Sequence, residues 1–469
     1  MKKRTHTAIL ISFFVVSLIT RSFGQGYHIE ATLKGLKDSS CVLGHWSYSN
    51  KQFVAKDTAK ADGKGHMVFE GKINLPGGLY LLLLPGNQKW VEFVYSGKET
   101  NFSMETDTAD FVGTMQVKGS KENELFYGYQ KELKSRVKEI ESLNQVRSAD
   151  NALKLKEAQT QFKNYRDTFL KDNADTFTAK LLRMSGDPEV PAAPKLASGK
   201  TDSLWVFNYY KAHYWDQVDF SDERILRTPF LETKLDRYIK NLVVQTPDSL
   251  IKDTDWLVNK ASANKEVKSY VVYYIINQYE NPKTVGTEAL WVHMANKYYL
   301  SGEMGVSDDT KKRISEKVNT LKYLLVNKTF PALAVTDLTG KKVDLQTINA
   351  NYTILFFYAA TCGHCKEASP VLKSFYDKNK ADGVKVVAID TEHNMEEWKS
   401  FIKTYHLEEL INGADPLNQT DFNRKYDVVT TPTIYVLDKN KKIIARKMPV
   451  EQLDDFLNYY KKKQLASAK

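Results

Sequence analysis

From Tyr27 to about Ser120, apolar and polar residues alternate: Ile29, Ala31 and Leu33 share one face, and His28, Glu30, Thr32 and Lys34 share the other. A period of two marks a half-buried strand. Asp62-Gly63-Lys64-Gly65, Pro76-Gly77-Gly78, Pro85-Gly86 and Ser96-Gly97 cut the pattern into short runs, including Leu79 to Leu84 and Val91 to Tyr95. Short strands between frequent turns predict a small antiparallel, all-β sandwich over 25–120. The period then lengthens. Phe126, Tyr129, Leu133, Val137 and Ile140 recur at three- and four-residue intervals, as do Leu155, Ala158, Phe162, Tyr165 and Phe169. Such spacing predicts amphipathic helices. After a proline-rich loop from Gly186 to Pro194, more are expected at Leu235 to Val244, Val267 to Tyr279 and Ala289 to Leu300. The stripe Tyr270, Tyr273, Tyr274 and Trp291 reads as helix packing, so residues 121–328 are expected to form an all-α domain.

Past Asn327-Lys328-Thr329-Phe330-Pro331 the pattern changes once more. A hairpin is expected from Leu333 to Asp337 and Val343 to Leu345, turning at Thr339-Gly340. Strands follow at Tyr352 to Ala359, Val384 to Asp390, Thr433 to Asp438 and Ile443 to Lys447. Helices are expected at Cys362 to Lys380, Met395 to Tyr405, Leu417 to Tyr426 and Val450 to Lys463. This order predicts an α/β domain over 329–469. A chain of 469 residues exceeds one ordinary core, which agrees with a multidomain β, α, α/β architecture.

The first residues follow another rule. Lys2, Lys3 and Arg4 precede an apolar run from Ala8 to Ile19, and Ser22-Phe23-Gly24 follows. This is the order of a secretory signal peptide over residues 1–24, and the run is shorter than the roughly 20 residues a spanning helix needs. An exported protein of the periplasm or cell envelope is expected. Cleavage would remove Lys2, Lys3, Arg4 and Arg21 and no acid, lowering the formal charge from +10 to +6. That excess is dispersed, which argues against a nucleic-acid partner. With 42% hydrophobic and 26% charged residues, neither a disordered chain nor a multi-span membrane protein fits.

There are three cysteines, Cys41, Cys362 and Cys365, too few for disulfides to hold an exported chain together. Cys41 reads as a small buried apolar residue. Cys362-Gly363-His364-Cys365 follows the apolar strand Ile354-Leu355-Phe356-Phe357-Tyr358 and opens a helix. Unpartnered N–H groups and the helix dipole stabilise a thiolate at such a start. Cys362 is thus the expected nucleophile and Cys365 the resolving thiol. Gly363 and His364 tune the pair. A His364 that favours the Cys362 thiolate favours the reduced form and makes the disulfide more oxidising. A zinc site lacks a second ligand pair, and haem attachment would need His where Lys366 stands. No metal or separate cofactor is expected beyond the redox-active Cys362–Cys365 pair.

Together with this motif, Thr430-Thr431-Pro432-Thr433 before an apolar strand resembles the thioredoxin superfamily. Phe330-Pro331, Asp337-Leu338-Thr339-Gly340-Lys341 and Tyr435-Val436-Leu437-Asp438 are similar to its exported TlpA and ResA branch. The resemblance implies a cis-proline at Pro432, with Thr431 offering backbone groups to an extended substrate. It also implies a thiol-disulfide oxidoreductase that reduces or isomerises client disulfides and draws on an electron donor of the membrane or envelope. Val117 to Asn123, His213-Tyr214-Trp215-Asp216 and Arg227-Thr228-Pro229 resemble uncharacterised β-rich and helical domains joined to such modules. Three positions depart from the pattern. Thr361 stands where tryptophan is common, and Phe356 where cytoplasmic thioredoxins bury an aspartate. Ala368 stands where the ResA branch has an acid, which makes Glu367 the candidate proton relay. The alternative is an envelope binding or docking protein whose redox module is secondary.

Overall fold

The structure, a computed structural model, describes residues 26–47, 52–86, 89–145, 148–282, 284–392, 394–417 and 419–467. The expected signal peptide, residues 1–24, lies outside them. The chain divides into two compact units. The first holds the described residues up to Pro188, with Trp215–Asp219 and Arg224–Leu231. The second holds Glu189–Tyr214, Phe220–Glu223 and the chain from Glu232 onward.

In the first unit, β1 (Tyr27–Lys34), β2 (Ser40–Ser47), β3 (Gln52–Lys60), β4 (His66–Gly71), β5 (Gly78–Leu83), β6 (Trp90–Tyr95), β7 (Asn101–Asp107) and β8 (Gln116–Lys118) form two four-stranded sheets. Their orders are β4-β1-β7-β8 and β3-β2-β5-β6. Ile29, Ala31 and Leu33 face the core, as their alternation predicts. Cys41 is fully buried on β2 among these side chains, and burial raises its thiol. The sheets are antiparallel except that β7 runs parallel to β1, from His28 opposite Asn101 to Lys34 opposite Asp107. Alternation reports which face a residue occupies and carries no information on strand direction, so the sandwich expected to be antiparallel contains one parallel pair.

Three helices complete this unit: α1 (Lys121–Gln145), α2 (Ala149–Asp172) and α3 (Phe177–Ser185). The Glu99 carboxylate caps α1, accepting from the Ser120 hydroxyl (2.6 Å), Lys121 N–H (3.0 Å) and Glu122 N–H (3.2 Å). Glu122 is itself buried and caps α3, accepting from Phe177 N–H (2.9 Å) and Thr178 N–H (2.8 Å). Asn123, fully buried, accepts from Val94 N–H and donates to Val94 C=O, both at 2.8 Å. It gives the outer edge of β6 the two bonds a further strand would have made. Phe126, Tyr127, Phe177 and Leu181 enter the sandwich core. The all-α domain expected over 121–328 is therefore divided, because α1 and α3 bury their apolar faces against the sheets.

The second unit holds α4 (Ser203–His213), α5 (Phe230–Arg237) from Glu232 onward, α6 (Pro247–Ala261), α7 (Lys265–Tyr279), α8 (Glu288–Met294) and α9 (Asp308–Leu321). Wider π-helical turns extend α5 over Tyr238–Leu242 and α8 over Ala295–Leu300. Tyr274 and Trp291 are buried, whereas Tyr273 of the same stripe is 40% exposed. Then come β9 (Ala334–Thr336), β10 (Lys342–Asp344), β11 (Tyr352–Tyr358), α10 (Gly363–Asn379), β12 (Val384–Asp390), α11 (Met395–Thr404), β13 (Ile411–Ala414), α12 (Phe422–Tyr426), β14 (Thr433–Asp438), β15 (Ile443–Arg446) and α13 (Leu453–Ser467). They build the expected α/β domain on a seven-stranded sheet of order β10-β9-β13-β12-β11-β14-β15. β11, β12 and β13 are parallel, β14 runs antiparallel beside β11, and β15 pairs antiparallel with β14 at the sheet edge. α12 is shorter than the expected Leu417 to Tyr426, because Leu417 is 74% exposed and anchors nothing.

All seven residues of β11 are buried. Ile354, Phe356 and Tyr358 pack with Leu372 of α10, Trp398 and Phe401 of α11, and Leu453 and Leu457 of α13. Leu355 and Phe357 pack on the other face with Phe330, Phe422, Tyr426 and Tyr435. At the sheet edge Arg446 is only 1% exposed and ion-paired with Asp427, which also meets Lys447 at 2.8 Å. Glu288 of α8 lies 3.7 Å from the same guanidinium, and burial raises its carboxyl. Among the described residues no helix is long and apolar enough to cross a membrane. Asn123→Ala, which strips one buried donor and one buried acceptor of their partner, should cost the first unit roughly 2–6 kcal/mol, at about 1–3 kcal/mol for each orphan. Hydrogen exchange of the β6 amides in the full chain checks this; unchanged protection would contradict it.

Candidate active site

The site begins where β11 ends. The Ala360 N–H donates to Asp390 Oδ1 at 3.2 Å, and Thr361 donates to Glu392 through its N–H (3.0 Å) and its hydroxyl. Two carboxylates from the end of β12 and the turn after it thus pin the loop that presents Cys362. The Cys362 N–H donates to Ala359 C=O at 3.0 Å, and the residue takes an extended backbone (φ −72°, ψ 123°) as the cap of α10. Its carbonyl starts the helical ladder by accepting from Lys366 N–H at 3.2 Å.

Cys362 is partly exposed, Cys365 is fully buried, and both are free thiols. The Cys362 Sγ lies 3.3 Å from the Thr431 carbonyl oxygen, to which the thiol donates. The Thr431–Pro432 peptide is cis, and Thr433 then opens β14. The structure therefore brings Cys362, Cys365, Thr431 and Pro432 together across the ends of α10 and β14. Gly363 and His364 lie exposed in the first turn of α10. Partial burial works against a Cys362 thiolate. It is outweighed by hydrogen bonds from the Cys365 thiol, the Cys365 backbone N–H, the Thr431 hydroxyl and the His364 backbone N–H, so the thiol falls below its ordinary value. Burial, and then the neighbouring Cys362, push the Cys365 thiol up to about 12.

Glu367 is not brought to Cys365. Two residues along a helix is about 200° of rotation, which sets Glu367 on the exposed face while Cys365 points inward. The carboxylates near the dithiol are Asp390 and Glu392, which sequence patterning did not single out. Asp390 is 1% exposed, and burial, followed by Glu392, pushes its carboxyl up to about 7. Its signal was an acid closing the apolar strand Val384 to Ile389; register makes that strand end the neighbour of Tyr358. Beside the cis-proline loop an open cleft of about 1250 Å³ is lined by Val429, Thr430, Lys447, Arg424, Arg313 and Tyr323, among others. Among the described residues no group of three His, Cys, Asp or Glu is placed to hold a metal ion.

A family model described as the AhpC/TSA family matches residues 326–446. Two models described as domains of unknown function, DUF4369 and DUF5106, match residues 27–126 and 154–323. The thiol-disulfide oxidoreductase ResA of Bacillus thuringiensis subsp. konkukian is 30% identical over 138 residues, covering 28% of this chain and 76% of that protein. The sporulation thiol-disulfide oxidoreductase A of Bacillus subtilis is 30% identical over 113 residues, covering 22% of this chain and 65% of that protein. Among solved structures, a domain of a possible thiol-disulfide isomerase from Cytophaga hutchinsonii is 44% identical. It covers 30% of this chain and 97% of that chain, with a TM-score of 0.29.

Two measurements test the electrostatics of the site. Iodoacetamide should label Cys362 in the folded, reduced chain with a midpoint below the ordinary thiol value, and Cys365 only after unfolding; equal labelling of both would contradict the geometry. Asp390 has a raised carboxyl, so the folded chain holds its proton more tightly than the unfolded chain does. Its contribution to stability is therefore fullest below about pH 4 and is lost as pH rises to about 7. Relative to Asp390→Asn, which keeps an acceptor for Ala360 N–H, the native chain should lose roughly 4 kcal/mol between pH 4 and pH 8, at ~1.4 kcal/mol per pH unit. Urea unfolding at both pH values reads the difference, and a pH-independent gap would contradict it. With 30% identity across 76% of a ResA protein, the chain belongs to the ResA-like family of thiol-disulfide oxidoreductases.

Proposed function

We propose that this oxidoreductase works after export, in the periplasm or cell envelope, where it reduces or isomerises disulfides of client proteins with the Cys362–Cys365 dithiol. The observation that carries this is the contrast between the two thiols: one partly exposed with a lowered affinity for its proton, the other buried one turn along with a raised one. The Cys362 thiolate attacks a client disulfide and joins one client sulfur while the other leaves. Cys365 then loses its proton and attacks Cys362, forming the Cys362–Cys365 disulfide and releasing the second client sulfur as a thiolate. An electron donor of the membrane or envelope restores the dithiol. Thr431 and Pro432 hold the client strand by its backbone, and the cleft beside Thr430 takes the chain flanking the client cysteine. The N-terminal pattern of residues 1–24 supports export, the ResA likeness supports thiol-disulfide exchange, and the reducing direction is what the TlpA and ResA resemblance implies. A His364 that favours the Cys362 thiolate makes the pair more oxidising.

The full-length Cys365→Ala variant should accumulate client proteins covalently attached through Cys362, and Cys362→Ala should abolish the adducts. Absence of adducts above background, with loss of phenotype on removing residues 25–320, would favour a docking protein instead. A dithiol potential near the roughly −270 mV of thioredoxin supports a reductase, and one near about −120 mV overturns that direction.

A further inference from the structure

When Cys365 attacks the mixed disulfide it must shed a proton, yet it is fully buried and lies on a core face with Tyr358, Trp398 and Phe401. Solvent does not reach its sulfur, so the proton leaves through protein groups. Tyr358 and Asp390 are register partners at the ends of the parallel strands β11 and β12, and their side chains share the sheet face covered by α10 and α11. Three polar atoms at this place are buried without a hydrogen-bond partner among the described residues: the Tyr358 hydroxyl, Asp390 Oδ2 and Trp398 Nε1. Buried polar atoms are nearly always satisfied; the Trp398 indole N–H and the Tyr358 hydroxyl act on one another, which leaves Asp390 Oδ2 as the atom that calls for an explanation.

We propose that Asp390, acting through the Tyr358 hydroxyl, receives the proton that Cys365 releases when it resolves the mixed disulfide. Tyr358 is the register partner of Asp390 and shares the core cluster of Cys365, and its hydroxyl responds to both the acid and the thiol. Asp390 is oriented for the task. Its Oδ1 is held by Ala360 N–H, in the loop that carries Cys362, and its Oδ2 is left unpaired. The groups facing it are Tyr358 from β11, Glu392 from the turn after β12 and Glu397 from α11. Burial and these two acids bring its proton affinity to about 7, suited to taking and returning a proton near neutrality.

The step balances. The Cys365 S–H bond breaks and its proton passes, directly or through one bridging water, by way of Tyr358 to the Asp390 carboxylate. The electron pair left on sulfur forms the bond to Cys362, the bond between Cys362 and the client sulfur breaks, and the client leaves as a thiolate. Asp390 later gives the proton to solvent when the site opens for the next exchange. Reversal of the same moves reprotonates Cys365 when the disulfide is reduced.

This inference rests on the exchange cycle proposed above, and one experiment separates the two. Reduced full-length protein is mixed rapidly with glutathione disulfide, and formation and decay of the Cys362 mixed disulfide are followed from pH 5 to 9. In Asp390→Asn, formation should stay within about twofold of the native chain. Decay should slow roughly tenfold or more at pH 7 and lose its inflection near neutrality. Tyr358→Phe removes only the hydroxyl and should shift decay in the same direction, which keeps the test valid if Asp390→Asn folds poorly. Unchanged decay and pH profile in both variants, or equal slowing of formation and decay, overturns the relay. Failure of the native chain to form any mixed disulfide overturns the exchange cycle itself.

Discussion

Cys362 and Cys365 stand one turn apart on α10, and the packing of that helix on β11 leaves one sulfur at the surface and seals the other in the core. Everything in the site follows from that asymmetry. A sulfur at the helix start meets N–H groups that the helix cannot use, so negative charge is welcome there. A sulfur one turn deeper meets Leu372, Tyr358 and Phe401, where charge is costly. The separation survives because the preceding loop is not free to shift. Asp390 and Glu392 hold Ala360 and Thr361 by their backbone N–H groups, so the sheet itself sets the height of the nucleophile.

How much of this was legible in the sequence depended on the range of the physics involved. The strands Tyr352–Tyr358, Val384–Asp390 and Thr433–Asp438 were legible because a strand buried on both faces is a continuous apolar run. The dithiol at a helix start was legible because strand, motif and helix are contiguous. β13 was not: Ile411-Asn412-Gly413-Ala414 is four residues long, without alternation, and is a strand only because β12 and β9 flank it. Asp390 was equally hidden, since its meaning comes from lying opposite Tyr358, a register that no local pattern encodes. α4 escaped notice for a related reason. It has no buried residue and so no apolar stripe to announce it.

The segment from Val117 to Asn123 carried a family likeness without an evident purpose, and its polar residues turn out to do structural work usually given to apolar ones. Gly119 takes a left-handed backbone (φ +83°), which turns the chain from β8 into α1. Ser120, Glu122 and Asn123 then close a helix start, a second helix start and a sheet edge within a single turn. Each satisfies backbone groups that would otherwise be buried bare, so hydrophobicity cannot stand in for them.

Arg446 gives the domain boundary a different meaning. The likeness to known redox modules begins near residue 326, yet the guanidinium buried on β15 is shared between Asp427 of the redox domain and the Glu288 carboxylate supplied by α8. A buried cation that draws on both sides of a boundary couples their unfolding, because removing either side strands charge in the core. The family match and the compact unit therefore have different bounds. Within the second unit, α8 supplies a carboxyl beside the guanidinium buried on β15, the strand that pairs with the cis-proline strand β14.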